Sequence, residues 1–581
     1  MTTLVACLSL FTVCSIFSWF QPRVLGVSYD LPGKEKVQAS LPLRMTTVGE
    51  DVRVSVVLSV PLHLIPTAYD VIVDDCLQEV LVDGVSTLQY PDGLCDSSRR
   101  HRVPLSLTPG IHQLTFVTRD NGWVYHFDFA VPRTDSLSLA RWLILGVILL
   151  TYLWSLRFVF QWSSPAVFAL GATFASVVLR YLYASVTPFF IRSHEWDRHV
   201  EYLRYVRDSF HIPPASGGWE FFQPPLYYFF GAVWWRVAEY LQGPASQILV
   251  HVQTLSFLLS IVSACFLAGI AWVFVKNRRD APLAILLMSI VPGIVYFTSQ
   301  ISNDALVAPL GFCLIFFSLL FVRRPTLWLW YSIVGVFSCI ALTKLNAFAL
   351  APFVFMCTIP YFIRFRPSLK HGVFGLILFV SLFAWYPFVR LVLEEDVTRT
   401  VTVGSVGMNP ATSVGNSMQE FLTFNPVRVL STLYVDPMKE GKEKGYFIEY
   451  FFQSIFFGEY QFPASYRFLD FTMLLVAIIV CCFSFVGLII DLRRPSLLSL
   501  PMIVLFDALV LAAITIRILI PFSPLQDFRY SIFLVVPLAY YFFRCVDSLN
   551  PSLRRFALSC AWALVSVEAI FFLKLAFDVA I

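Results

Sequence analysis

Charge is what this sequence has least of. Only 14% of its 581 residues are Asp, Glu, Lys or Arg, while 57% are hydrophobic. Soluble domains average about 25% charged residues, so a wholly soluble chain is excluded. The formal net charge of +4 gives no argument for a nucleic-acid partner. Repeats are missing too. No period of 20–50 residues suggests a solenoid, and no pair of matching hydropathic halves suggests a transporter built from repeats. The apolar run 1–20 lacks a basic n-region and a clear cleavage site. It reads as a signal anchor, a first transmembrane helix or a cleaved signal peptide. In each case the chain after it is translocated. Most of the twelve Cys lie in apolar runs, where they read as small core residues.

Apolar runs of spanning length fill most of the remainder. They lie near 1–20, 139–160, 164–184, 248–275, 281–298, 305–323, 327–345, 347–364, 372–392, 470–490, 497–518, 530–546 and 554–578, which makes 13. The 57 Phe, 14 Trp and 24 Tyr suit lipid-facing and interfacial surfaces. The segment 224–241 is aromatic but carries Arg236 and Glu239, so it reads as an interfacial helix rather than a span. With that assignment every basic cluster falls on the N-terminal side of the membrane: 276–279, Arg323-Arg324, 364–370, Arg493-Arg494 and Arg544 with Arg554-Arg555. The outer face then receives the loops 185–247 and 393–469 and the turns at 302–304 and 526–530. Single cysteines introduced at Arg278 and at Gly93 are expected to label from opposite sides. Equal labelling of both from outside would overturn this topology.

Residues 21–138 read as an extracytoplasmic β domain inserted after the first run. Alternating stretches such as VRVSVVLSV (52–60) are separated by turn signals at Asp92-Gly93, Pro109-Gly110 and Asn121-Gly122. The spacing predicts a small sandwich or jelly roll. Cys76 and Cys95 share this polar segment and form either a disulfide or two free thiols. The remainder, 139–581, is a helical membrane domain.

The polar stretch 194–228 is where chemistry concentrates. At helical spacing Asp197, Glu201, Arg204 and Asp208 share one face, and His199, Leu203, Val206 and Phe210 the other. That is a short amphipathic helix suited to a membrane surface, followed by breaks at Pro213-Pro214 and Gly217-Gly218. Four outer spots set polar groups in apolar surroundings: His194-Glu195-Trp196-Asp197, Asn303-Asp304, Lys344 beside Asn346, and Gln526 to Tyr530. Ionisable groups at membrane depth are expensive and point to function. Two acids with a Lys and an Arg suit a phosphate-bearing lipid. The cations hold phosphate oxygens. A carboxylate, Asp197 or Asp304, deprotonates an acceptor or holds a divalent cation. Plainer roles stand beside each. Asp197 pairs with Arg198 or Arg204 on a solvated face, Asp304 caps the helix starting at Ala305, Lys344 snorkels, and Arg529 anchors a boundary. His194 and His199 beside two acids give a weak metal signal.

An acid in the first outer loop, then QPPLYY (223–228), SQISNDAL (299–306), ALTKLNAFALAP (341–352) and DFRYSIFLVVPLA (527–539) follow in order. This ordered set resembles the membrane-embedded GT-C glycosyltransferases, in particular the branch with the protein O-mannosyltransferases and the bacterial aminoarabinose transferases of lipid A. The resemblance covers roughly 140–546. It implies a GT-C helical bundle of about 13 spans and a donor sugar carried on polyprenyl or dolichyl phosphate. It also implies a glycan, lipid or protein acceptor outside the cytoplasm, in a bacterial inner membrane facing the periplasm or an ER membrane facing the lumen. By the same resemblance Asp197 is the catalytic acid of the first loop, with Glu195 and Asp304 as further acids. Lys344 and Arg529 face the donor phosphate, and His194, Gln223, Tyr227, Asn303 and Tyr530 line the substrate. The sequence departs from the family where Arg198 follows Asp197 in place of a second acid, and where Gln223 precedes the two prolines in place of Lys. A transporter or flippase that binds a lipid-linked glycan is the alternative.

Overall fold

The computed structural model describes residues 23–31, 36–39, 43–45, 51–60, 67–73, 76–95, 101–105, 107, 110–119, 125–130, 165–187, 189, 196–218, 220–242, 248–364, 369–393, 413–437 and 441–580. The chain divides into two units, one made of 1–159 with 237–251 and 578–581, the other of 160–236 and 252–577.

Among the described residues the first unit holds ten strands: β1 Arg23–Asp30, β2 Val37–Ala39, β3 Leu43–Met45, β4 Asp51–Val60, β5 Thr67–Val73, β6 Cys76–Val82, β7 Val85–Cys95, β8 His101–Leu105, β9 Gly110–Arg119 and β10 Tyr125–Ala130. They form two antiparallel sheets, β2-β1-β4-β9-β6-β7 and β3-β10-β5-β8. Alternation in β4 explains the sandwich. Val52, Val54, Val56 and Leu58 are all fully buried and meet Phe116, Phe127 and Phe129 in one apolar core. The β6–β7 turn is Asp83-Gly84, both with positive φ (53° and 83°), as a two-residue hairpin of right-handed twist requires. The Asp83 carboxylate fixes the turn by accepting from the Gln113 backbone N–H at 2.8 Å. Asp92-Gly93 is not a turn. The ladder skips from Glu79–Gln89 to Leu77–Leu94, so it sits in a bulge of β7. Cys76 is disulfide-bonded and stands opposite Cys95 in register. Asn121-Gly122 lies outside the described residues.

The helices are α1 Pro165–Val186, α2 Trp196–Ser209, α3 Leu226–Gln242, α4 Ile248–Phe274, α5 Ala281–Ser289, α6 Pro292–Thr298, α7 Asp304–Arg323, α8 Leu327–Ala341, α9 Ala351–Arg364 and α10 Leu369–Leu393. They continue as α11 Met418–Leu422, α12 Pro426–Ser431, α13 Phe447–Phe457, α14 Arg467–Arg493, α15 Ser499–Leu519, α16 Val535–Val546 and α17 Pro551–Ala580. Among the described residues nine helices are long and apolar enough to cross a membrane. The chain is a multi-pass membrane protein. The α5–α6 pair makes a tenth crossing if its 58° bend is counted as one broken span. The expected span 327–345 is the shorter helix α8, of 15 residues. The runs 1–20 and 139–160 lie outside the described residues. The helix α3, 17 residues with two charges, is not among the nine.

Two close approaches lock the helical unit. A Cβ on Gly487 would stand 1.8 Å from the Tyr541 carbonyl oxygen, so only glycine lets α14 pack this tightly on α16. A Cβ on Gly293 would meet the Ile455 carbonyl at 2.6 Å, which seats α13 against α6. The aromatic segment 447–457 is packed into the protein. Its Phe447, Tyr450, Phe452, Phe456 and Phe457 are buried in the protein. Between spans, Arg180 of α1 donates to Ser260 Oγ (2.7 Å), Thr298 Oγ1 (2.9 Å) and the Ser289 carbonyl (2.7 Å). A buried cation is thereby hydrogen-bonded without a carboxylate among those partners.

Candidate active site

The polar loop between α2 and α3 is held from an unexpected direction. Most of α10 is exposed, yet Tyr386 and Arg390 are buried. The Arg390 guanidinium donates to the carbonyls of Pro213 (2.7 Å) and Phe221. Tyr386 donates to the Phe222 carbonyl at 2.9 Å, and Tyr202 of α2 donates to the Gln223 carbonyl at 3.3 Å. One guanidinium thus satisfies two carbonyls that a proline-broken loop leaves without ladder partners. An Arg in a 25-residue apolar helix was the sequence signal for this role, and it was missed.

With the loop fixed, four separate stretches converge. The Leu226 N–H donates to the Leu342 carbonyl at 2.9 Å. Asn303 donates from Nδ2 to Gln223 Oε1 at 3.2 Å and to the Thr343 carbonyl at 3.4 Å. Asp304 opens α7, but it is not the helix cap. Asn303 holds the cap position, and no side-chain cap bond is made. The Asp304 carboxylate instead accepts from Lys344 Nζ at 2.5 Å. Lys344 does not snorkel. It is 7% exposed, because the pair gains more from mutual contact than either group would in an apolar surround. Lys344 Nζ also stands 5.1 Å from the centre of the Tyr530 ring, and the Arg529 guanidinium stands 4.9 Å from the same ring. Arg529 and Tyr530 are half-buried. The Arg529 backbone N–H donates to the Asp527 carboxylate, which starts the tight turn Phe528–Leu534. Arg529 acts electrostatically on Asp304, Glu459 and Asp527.

Helix α2 behaves as its pattern predicts for most of its length. His199, Val200, Tyr202, Leu203 and Val206 are buried, while Glu201, Arg204 and Asp208 are exposed. Phe210 departs from the pattern. It lies past the helix end with φ +56° and is 44% exposed, stacked under the Arg236 guanidinium. Asp197 is half-buried in the first turn. His199, two residues on, stands near enough to act electrostatically on Asp304. Its Nδ1 is 2.8 Å from the Tyr228 hydroxyl, and Tyr228 stacks on Tyr202 at 3.7 Å. Burial pushes the phenols of Tyr202, Tyr227 and Tyr228 up, so they stay neutral hydrogen-bonding groups. Tyr227 is fully buried.

The convergence therefore includes Gln223, Asn303, Asp304, Lys344, Arg529 and Tyr530, with His199 at its edge. His194 and Glu195 lie outside the described residues. Glu459 and Arg390 were not foreseen, and Asp527 and Tyr228 entered only as members of the stretches 526–530 and 223–228, without roles of their own. No short motif marks Glu459, which becomes relevant only because folding brings it near Arg529. Among the described residues no group of three or more His, Cys, Asp or Glu is arranged to hold a metal ion. Asp304 is moreover surrounded by Lys344, Arg529 and His199, a shell that does not fit a divalent cation on that carboxylate. The set does fit an anion: two cations stand against one aromatic ring near the ends of membrane helices.

The chain is similar in structure to membrane glycosyltransferases. ArnT from Cupriavidus metallidurans, bound to undecaprenyl phosphate, aligns at 13% identity with a TM-score of 0.42 over 70% of this chain and 75% of that one. The archaeal oligosaccharyltransferase AglB from Archaeoglobus fulgidus, in complex with an inhibitory peptide and a dolichol-phosphate, aligns at 13% identity and 0.39, covering 72% of this chain and 56% of its own. Arabinosyltransferase EmbB from Mycobacterium smegmatis aligns at 12% identity and 0.41, covering 93% and 48%. No family model matches the sequence, and no curated protein matches it. At TM-scores below 0.5 these likenesses do not carry the functional reading, which rests on the side chains described above.

Proposed function

We propose that this protein is a glycosyltransferase that moves a single sugar from a polyprenyl- or dolichyl-phosphate carrier to an acceptor hydroxyl on the extracytoplasmic face. The observation that carries the reading is the pairing of Lys344 and Arg529 against the Tyr530 ring, beside Asp304. A lipid phosphate that approaches through the bilayer needs two fixed cations at the membrane boundary, one of them with surface to offer. Arg529 is half-buried.

In the proposed reaction the acceptor oxygen forms a bond to the anomeric carbon, and the bond from that carbon to the phosphate oxygen breaks. The acceptor proton passes to the Asp197 carboxylate. The lipid phosphate leaves with an added negative charge, which Lys344 and Arg529 stabilise. Asp304 holds the Lys344 ammonium in position beside the phosphate. His199, held by Tyr228, and Gln223, held by Asn303, line the acceptor side.

The purified chain with a polyprenyl-phosphate-linked sugar and a hydroxyl acceptor is expected to yield glycosylated acceptor and carrier phosphate in equal amounts by mass spectrometry. A carrier that crosses the membrane with its sugar still attached, and no carrier phosphate formed, would replace transfer with transport of a lipid-linked glycan.

A further inference from the structure

A second polar site stands at the far ends of the same helices. Helix α7 carries Asp304 at its first residue and Arg323 at its last. The stretch 523–546 carries Arg529 near its start and Arg544 near its end. At 1.5 Å per residue, 20 helical residues separate the two ends by about 30 Å, the thickness of a bilayer core. At this opposite boundary lies a cavity of about 130 Å³ whose lining includes Lys276, Arg323, Arg544, Ser496, Tyr540 and Asp547.

Its wall is built, not incidental. Asp491 is fully buried and accepts from Arg544 Nε at 2.5 Å and from the Tyr540 hydroxyl at 3.2 Å. Ser496 Oγ lies 2.8 Å from that hydroxyl, and Arg544 also donates to the Arg494 carbonyl at 2.6 Å. The wall's acid is thus consumed by the wall. Lys276 and Arg323 are exposed, and neither side chain makes a hydrogen bond or ion pair among the described residues. Asp547, at the rim, is the acid that Lys276 acts on. Arg278 adds a like charge close to Arg323. Three lining cations stand against one lining acid, and two of them carry no side-chain hydrogen bond or ion pair among the described residues, an excess that calls for an anion. Beside them Leu497 is 66% exposed, an apolar surface adjoining the cations as an acyl chain adjoins a phosphate.

We propose that this cavity binds a phosphate group, presented by an anionic phospholipid at the membrane boundary opposite Asp304. Lys276 and Arg323 contact the phosphate oxygens, the Ser496 and Tyr540 hydroxyls lie within the same cavity, and Leu497 takes the start of an acyl chain. The site does not depend on sugar transfer and would exist in a transporter equally.

The test uses the full chain in nanodiscs of phosphatidylcholine with or without phosphatidylglycerol, read by native mass spectrometry of retained lipid. Inorganic phosphate is added as a competitor in a second arm. Wild type is expected to retain phosphatidylglycerol over phosphatidylcholine. Lys276→Gln and Arg323→Gln are each expected to weaken retention about fivefold, and the double variant about 30-fold, since each boundary cation contributes ~1 kcal/mol toward an anionic headgroup. Both residues are exposed, so thermal unfolding should be unchanged, and the charge-keeping pair Lys276→Arg/Arg323→Lys should retain the lipid. Displacement by millimolar inorganic phosphate would assign the site to free phosphate and keep the anion chemistry. Equal retention by the double variant, or no preference for phosphatidylglycerol, would overturn the site.

Discussion

Asp197→Asn is expected to abolish most transfer while leaving the protein folded. A general base contributes about 10²–10⁴-fold to a rate, and the amide keeps the shape of the carboxylate while losing its capacity to take the acceptor proton. Asp197 is half-buried in the first turn of α2. The side chain is not part of an apolar core, so expression and thermal unfolding should match wild type. Donor affinity should also match, because Lys344 and Arg529, not Asp197, would hold the phosphate. The signature is a fall in kcat with nearly constant donor binding. If the purified variant transfers sugar at the wild-type rate, the base lies elsewhere. His199 is then the next candidate, since it stands against Tyr228 and acts on Asp304.

What the sequence made legible follows from the kind of signal each feature leaves. The sandwich was readable because β4 alternates strictly, and its inward valines are buried. The long spans were readable because a bilayer demands long apolar runs, whereas the bend between α5 and α6 at Pro292 was not. Asp304, Lys344 and Arg529 stood out singly, as charges where charges are costly. Their contact did not, because it joins residues 40 and more than 180 positions apart in the chain. The cap reading of Asp304 was sound chemistry for an exposed helix start. It failed because Lys344 competes for the carboxylate, and an ion pair outbids a backbone N–H in an apolar surround. The roles of Arg390 and of the α13 segment were not legible for one reason: composition alone cannot tell a helix face turned to lipid from one turned to protein.

The ion pair makes the second large effect. Lys344→Ala should destabilise the protein by about 3–5 kcal/mol, because it leaves the Asp304 carboxylate enclosed without its partner; the two side chains are 9% and 13% exposed. Loss of activity in that variant would therefore be ambiguous. The double substitution Lys344→Met/Asp304→Leu removes the ambiguity. Replacing both charges by apolar groups of similar size is often neutral or stabilising, so unfolding should return to near the wild-type temperature. Transfer and donor binding should stay lost, since the lipid phosphate then meets Arg529 alone. Arg529→Ala, at a half-buried group whose Nε has no hydrogen-bond partner, should weaken donor binding and slow transfer together with a smaller change in stability. Retitrating donor affinity across the three variants decides the matter. A folded double variant that binds the lipid phosphate as tightly as wild type would mean that the Lys344–Asp304 pair is structural and that the phosphate is held elsewhere.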